Sequence, residues 1–97
     1  MFVLVAYDVA STTTKEGRRR LRRVAQVCLN FGQRVQFSLF ECTVGELELA
    51  RLRQDLLKEI KTEEDSLRLY FLGEEGPRRV EHHGQKPSQD FEDALVI

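Results

Sequence analysis

The sequence predicts an α+β fold in which two helices cover one face of a single sheet. Residues 2–6 form a continuous apolar run typical of a buried strand. Apolar residues recur at helical spacing over residues 21–29 and again over 49–60, with strand-like segments between and after them. In a single domain of 97 residues, this alternation fits a four-stranded βαβαββ sheet of the ferredoxin-like type.

The first strand covers residues 2–9, and a loop of small and hydroxylated residues follows it at 10–15. Residues 15–31 predict a helix, because one stripe of it is apolar. Gly32 is expected to end that helix as the residue after its C-cap. The stripe consists of Leu21, Val24, Ala25, Cys28 and Leu29.

Residues 34–44 predict one further strand, which presents Phe37 and Phe40 on opposite faces. A second helix is expected over 46–61. Arg53 falls inside the apolar stripe of this helix. Its charged end is expected either to reach solvent at the rim of the core or to contact a partner.

Residues 66–72 predict the next strand and 78–83 a short additional one. Residues 84–97 are expected to form a linker and an apolar C-terminal strand, which would add to the edge of this sheet or of a partner's sheet. The uncovered sheet face is expected to carry Phe40, Tyr70 and Leu72. These side chains favour a partner on that face, by default in a symmetric homodimer.

Composition indicates a soluble globular protein, with 41% hydrophobic and 32% charged residues. No apolar run is long enough to span a membrane, and the N-terminus lacks the features of a signal peptide. Cys28 and Cys42 lack the spacing of a metal site and are expected to be reduced packing residues. We therefore expect a cytoplasmic protein with no membrane partner.

Asp8 is the first candidate functional residue, because it follows a buried strand and is the only acidic residue among the first fifteen. One carboxylate is a poor metal site, but two brought together by a two-fold axis could hold Mg²⁺. Asp8 could instead close the loop by bonding the backbone at residue 10 or 11. Tyr7 is expected to face away from Asp8 and to pack, with its hydroxyl at a polar edge.

A cluster of arginines on the first helix is the second candidate site. Arginines of this kind bind phosphates without reading sequence, although a solvated helix face is the alternative. Because no aromatic residues are interleaved on this face, it favours duplex backbone over single strands. The cluster consists of Arg18, Arg19, Arg20, Arg22 and Arg23.

Two further charged groups are expected at the surface. His82 and His83 are adjacent on a strand, so they should point to opposite faces and share no metal ion. The acidic stretch Glu63, Glu64 and Asp65 is expected to be solvated or to meet a basic partner protein.

Four segments carry a resemblance to a known family. They are Val-Ala-Tyr-Asp-Val at residues 5–9, Asn-Phe-Gly at 30–32, Arg-Val-Gln-Phe-Ser-Leu-Phe-Glu-Cys at 34–42 and Glu-Asp-Ser-Leu-Arg-Leu-Tyr at 64–70. In their order and spacing, the chain resembles the small CRISPR-associated endonucleases, which are spacer-acquisition partners of the CRISPR integrase.

The resemblance implies a ferredoxin-like homodimer whose C-terminal strands join the neighbouring sheets, and which acts as a Mg²⁺-dependent nuclease on RNA or double-stranded DNA. It implies that Asp8 binds the metal ion and that Tyr7 accompanies it. Arg23, Arg34 and Phe40 match positions tied to activity in family members. Phe37 departs from the pattern, since many relatives carry Lys or Tyr there.

Two compatible functions follow from the residues and the resemblance. The chain is expected to be a CRISPR adaptation subunit that binds duplex DNA along its arginines and docks the integrase on its acidic surfaces. It is also a candidate nuclease that uses a pair of Asp8 carboxylates. The alternative is a ferredoxin-like regulatory domain that binds a small ligand, for which only Gly73 and Gly76 suggest a ligand loop.

Overall fold

The computed structural model describes residues 1–73 and 79–85, which form one five-stranded sheet and two helices. Neighbouring strands are antiparallel in the order β2-β3-β1-β4-β5. This order confirms the ferredoxin-like α+β fold, with β5 added at one edge. The elements are β1 (Phe2–Asp8), α1 (Lys15–Phe31), β2 (Gly32–Gln36), β3 (Leu39–Thr43), α2 (Glu46–Glu59), β4 (Ser66–Leu72) and β5 (Arg79–Gly84).

The single strand expected over residues 34–44 is wrong, because the structure has a β-hairpin there. Strands β2 and β3 pair with each other, and their register shifts between Arg34 and Gln36. Phe37 and Ser38 form the turn between them. The backbone amide of Tyr7 donates to the Ser38 carbonyl (3.2 Å), which fixes this turn against the end of β1. The expected C-terminal strand lies outside the described residues.

Phe40 was also assigned to the wrong face of the sheet. It pairs with Val5, so the two side chains share the face that the helices cover, and Phe40 is 0% exposed. Tyr70 and Leu72 do lie on the opposite face, as expected, because Leu69 is the residue of β4 that pairs with Val5.

The core lies between the sheet and the two helices, which also pack against each other. α1 begins at its N-cap Thr14, whose hydroxyl accepts from the amide of Gly17 (3.0 Å). Gly32 ends α1 as expected but has an extended backbone rather than a left-handed one. A Cβ on Gly32 would overlap the carbonyl of Glu41, so glycine is required for the close approach of β3.

Arg53 joins α2 to the edge strand β5 rather than reaching into solvent. Its guanidinium donates to both carboxylate oxygens of Glu81, at 2.6 and 2.9 Å. His83 bonds the same carboxylate (2.7 Å), whereas His82 accepts from Arg68 (3.1 Å) on the other face. The prediction that the two histidines point to opposite faces is therefore confirmed.

Cys28 and Cys42 are free and buried, as the sequence predicts. Burial raises the pKa of the Cys28 thiol to about 12, which keeps it protonated at neutral pH. Neither helix in the described part of the chain has the length and apolar character needed to cross a membrane.

Candidate functional site

Asp8 lies on the wall of a cleft of about 440 Å³. The cleft opens where β1 ends, and α1 and the β2–β3 turn form its other walls. Among the described residues, it joins one carboxylate, two guanidinium groups and one exposed aromatic ring. The lining residues that carry these groups are Asp8, Arg22, Arg34 and Phe37.

The alternation of β1 explains the exposure of Asp8. Val3, Val5 and Tyr7 face the helices and are buried, whereas Asp8 pairs with Ser66 and is exposed. A solvent-accessible carboxylate of this kind is the hard oxygen ligand that Mg²⁺ prefers. Over residues 1–73 and 79–85, however, no three carboxylate, histidine or cysteine side chains come close enough together to hold a metal ion.

Tyr7 lies beneath the cleft and is buried. Its hydroxyl is 3.4 Å from the carbonyl oxygen of Phe37, to which it donates, and its ring stacks on Phe40 with centroids 6.0 Å apart. Burial raises the pKa of Tyr7, while hydrogen bonding to Arg34 opposes that rise. Tyr7 therefore remains a neutral donor that holds the hairpin turn, and it faces away from Asp8 as predicted.

Phe40 supports Arg34 from below. The guanidinium carbon of Arg34 lies 5.1 Å from the centre of the Phe40 ring, within cation–π distance. Tyr7, Phe40 and Arg34 thus form a stack that presents one cation to the cleft. Because Phe40 is fully buried, it acts through its neighbours rather than by touching a bound molecule.

Arg20 differs from the other arginines of α1, because its guanidinium is bonded to Asp65. The Nε donates to Oδ2 (3.0 Å) and one Nη donates to Oδ1 (3.2 Å), while the same Nη also bonds the carbonyl of Ala10. Asp65 is 0% exposed and the Arg20 side chain only 11%. The expectation that Asp65 is solvated is therefore wrong.

Asp65 also holds the loop that follows Asp8. Its carboxylate accepts from the backbone amides of Ala10 (2.9 Å) and Lys61 (2.8 Å). Burial alone would raise the pKa of Asp65, but the bonds from Arg20 and the two amides outweigh burial and lower it. The amide of Ala10, an expected partner of Asp8, is thus bonded to Asp65 instead. The sequence placed Asp65 in a charged turn, and nothing in that pattern distinguishes it from its exposed neighbours.

The four remaining arginines of α1 are exposed but do not all face the cleft. Arg22 lines the cleft with Asp8, although the sequence singled out Arg23 for activity. Arg23 lies 3.7 Å from a carboxylate oxygen of Glu59, beside a second depression of about 220 Å³ that Arg19 also lines. Arg18 bonds the backbone carbonyl of Thr13 (2.8 Å).

A family model and named relatives identify the family of this chain. The family model for CRISPR associated protein Cas2 matches residues 1–80. The chain is 54% identical to a protein of Chlorobaculum tepidum named CRISPR-associated endoribonuclease Cas2, over the full length of both. It is 50% identical to a CRISPR-associated endonuclease Cas2 of Halalkalibacterium halodurans, again over both full lengths.

The fold comparison agrees with the sequence comparison. A crystal structure of Streptococcus pyogenes Cas2 matches with a TM-score of 0.70 and 48% identity, covering 75% of this chain and 87% of that one. Because the family model covers most of the chain and these relatives match it from end to end, this chain belongs to the Cas2 family of CRISPR-associated proteins.

Proposed function

We propose that this chain is a CRISPR-associated endonuclease that hydrolyses phosphodiester bonds in RNA or double-stranded DNA as a Mg²⁺-dependent homodimer. The observation that carries the proposal is the cleft at the end of β1, which combines the exposed carboxylate of Asp8 with the cations Arg22 and Arg34. The endonuclease and endoribonuclease names of full-length relatives agree with it.

The homodimer is proposed because the described residues of one chain bring a single carboxylate to the cleft. The sheet face opposite the helices supports it, since the side chains of β1 and β4 on this face include the exposed Phe2 and the half-buried Leu4, Ala6 and Leu72. An apolar surface of this kind favours burial against a second copy. If a two-fold axis passes near Asp8, two carboxylates meet at one site.

The residues of the cleft divide the chemistry between them. Arg34 and Arg22 bind the phosphate and stabilise the negative charge that grows on it during hydrolysis. Tyr7 and Phe40 fix the position of Arg34 and of the hairpin turn. Asp8 would hold Mg²⁺, which when bound would supply Lewis-acid stabilisation of the phosphoryl group.

Cleavage of single-stranded RNA and of double-stranded DNA by Asp8→Asn tests this proposal. The substitution keeps the size of the side chain but removes the charge that binds a cation. We expect cleavage to fall at least about 100-fold, whereas the matched control Asp55→Asn on α2 keeps wild-type activity. Equal cleavage by wild type and Asp8→Asn would contradict the proposal.

We further propose that the chain is a CRISPR adaptation subunit that binds duplex DNA and bridges the integrase. The exposed arginines of α1 favour this second function, because phosphate contacts dominate non-specific DNA affinity. Arg18, Arg19, Arg22 and Arg23 are the proposed contacts, while Arg20 is excluded by its bonds to Asp65. Exposed acidic residues such as Glu63 and Glu64 are the proposed surface for the integrase.

Salt-dependent binding of a DNA duplex tests the second function. With about four phosphate contacts per chain and two chains in the dimer, affinity should fall about 10⁴-fold between 50 and 200 mM salt. Arg19→Ala should weaken binding and flatten this dependence, whereas Arg51→Ala on α2 should change neither. A salt-independent affinity would contradict the proposal.

The alternative of a ligand-binding regulatory domain is favoured by no specific observation. It depends on Gly73 and Gly76, and Gly76 lies outside the described residues.

A further inference from the structure

We propose that Phe37 is a platform on which an unpaired base stacks, so that the Asp8 cleft accepts a nucleotide of a single strand. This inference rests on the proposed nuclease function and specifies its substrate at that same cleft. Phe37 lines the cleft together with Asp8, Arg22 and Arg34.

The exposure of Phe37 is unusual for an aromatic residue. The residue is 93% exposed, although phenylalanine is among the residue types most often buried. Folding of the single chain therefore leaves nearly the whole ring in water beside the cleft that Asp8 lines. A ligand with an apolar face would remove this surface from water and would be stabilised by doing so.

The backbone beneath this ring is held in place. The carbonyl of Phe37 accepts from the Tyr7 hydroxyl, and the carbonyl of Ser38 accepts from the Tyr7 amide. Because β1 anchors the backbone of both turn residues, the Phe37 ring projects from a fixed backbone position in the cleft that Asp8 also lines. A fixed backbone lowers the entropy cost of ordering the turn when a ligand stacks on the ring.

The charges around Phe37 identify the ligand as nucleic acid. Arg22 and Arg34 supply cations in the same cleft, and a phosphate backbone supplies the opposite charge. Cations combined with an aromatic ring are the pattern by which proteins bind single strands, and every base offers a face for stacking. In a duplex those faces are already stacked on one another, so the ring selects for unpaired nucleotides.

Phe37→Trp gives a direct test, because the wild-type chain contains no tryptophan. Its fluorescence is followed while a single-stranded oligoribonucleotide is added, with EDTA present so that no cleavage occurs. We expect quenching that saturates with binding. An abasic strand of equal length should bind through its phosphates and produce little quenching.

Affinity measured by fluorescence anisotropy completes the test. Phe37→Ala should weaken binding of the base-containing strand by about 5- to 150-fold, the range for loss of one stacked base, and leave abasic binding unchanged. The matched control is Leu47→Ala on α2. It also removes a highly exposed apolar side chain (89%) and should leave the affinity for both strands unchanged.

Two results would overturn the proposal. One is equal weakening of base-containing and abasic strands. The other is a change in sedimentation of Phe37→Ala without nucleic acid, which would place the ring in a contact between chains. These readouts need no cleavage. If bases stack on Phe37 but the protein cleaves nothing, the nuclease proposal is refuted and the stacking proposal is not.

Discussion

Removing the Asp65 carboxylate should destabilise the fold more than any other single change to a charged residue discussed above. Asp65→Ala leaves the Arg20 guanidinium nine-tenths buried with no countercharge from Asp65. It also leaves the amides of Ala10 and Lys61 without their acceptor. Breaking a buried pair by removing one partner costs about 3–5 kcal/mol. That is a large share of the roughly 5–15 kcal/mol by which a domain is stable.

Urea denaturation measures this loss. With a slope of about 2 kcal/mol per molar urea, the unfolding midpoint of Asp65→Ala should fall by about 2 M. Glu63→Ala removes an exposed carboxylate from the same turn and should change the free energy of unfolding by less than about 0.5 kcal/mol.

The double variant separates the ion pair from other effects of the substitution. Removing both side chains leaves no unpaired charge in the core. The free energy of unfolding lost by Arg20→Ala with Asp65→Ala should therefore be clearly smaller than the sum of the losses of the two single variants. A loss below about 1 kcal/mol for Asp65→Ala would show that the buried ion pair contributes little to the stability of the fold.

Three other measurements check separate parts of the structure. The pKa of Asp65 is lowered in the folded state, so the stability that its charge contributes is complete above about pH 4 and is lost as the pH falls through the folded pKa. Wild type should therefore lose more stability than Asp65→Asn on acidification below pH 4. Gly32→Ala should lower the free energy of unfolding by about 1–3 kcal/mol in urea denaturation, because the new methyl group overlaps the Glu41 carbonyl. Since its pKa is raised to about 12, Cys28 should react with iodoacetamide at pH 8 only after unfolding, as mass spectrometry would show; labelling of the folded protein would contradict this.

The sequence predicted the regular elements well wherever hydrophobic periodicity was strong. Helix α1 spans residues 15–31 as predicted and β4 spans 66–72, because their apolar positions follow one period without interruption. Asp8 and Tyr7 were also placed correctly, since the alternation of a buried strand determines which way its last residues point.

The hairpin turn was missed because its residues carry no turn signal. Phe37 and Ser38 continue the apolar and polar alternation of a strand, and they turn because β1 bonds their carbonyls. These are long-range contacts that local propensity does not encode. Because of this error, the sequence did not predict that Phe37, an exposed aromatic residue, lines the Asp8 cleft.

The role of Asp65 was missed for a similar reason. Its partners are Arg20 on α1 and the amides of Ala10 and Lys61, which lie up to 55 residues away in sequence. In the linear chain Asp65 is the last of three acids in a charged turn, and such residues are usually solvated. Only the contact between Arg20 on α1 and the loop before β4 shows which of the three is buried.

Asp8 is proposed to act as a pair across a two-fold axis, and mixed dimers of wild-type and variant chains test this pairing. Wild-type and Asp8→Asn chains are refolded together at known ratios, and the cleavage rate with Mg²⁺ is measured against the wild-type fraction. If both carboxylates are needed, an equal mixture should keep about one quarter of the wild-type rate, the share of dimers with two intact chains. A rate of about one half would show that each Asp8 acts alone and would contradict the claim.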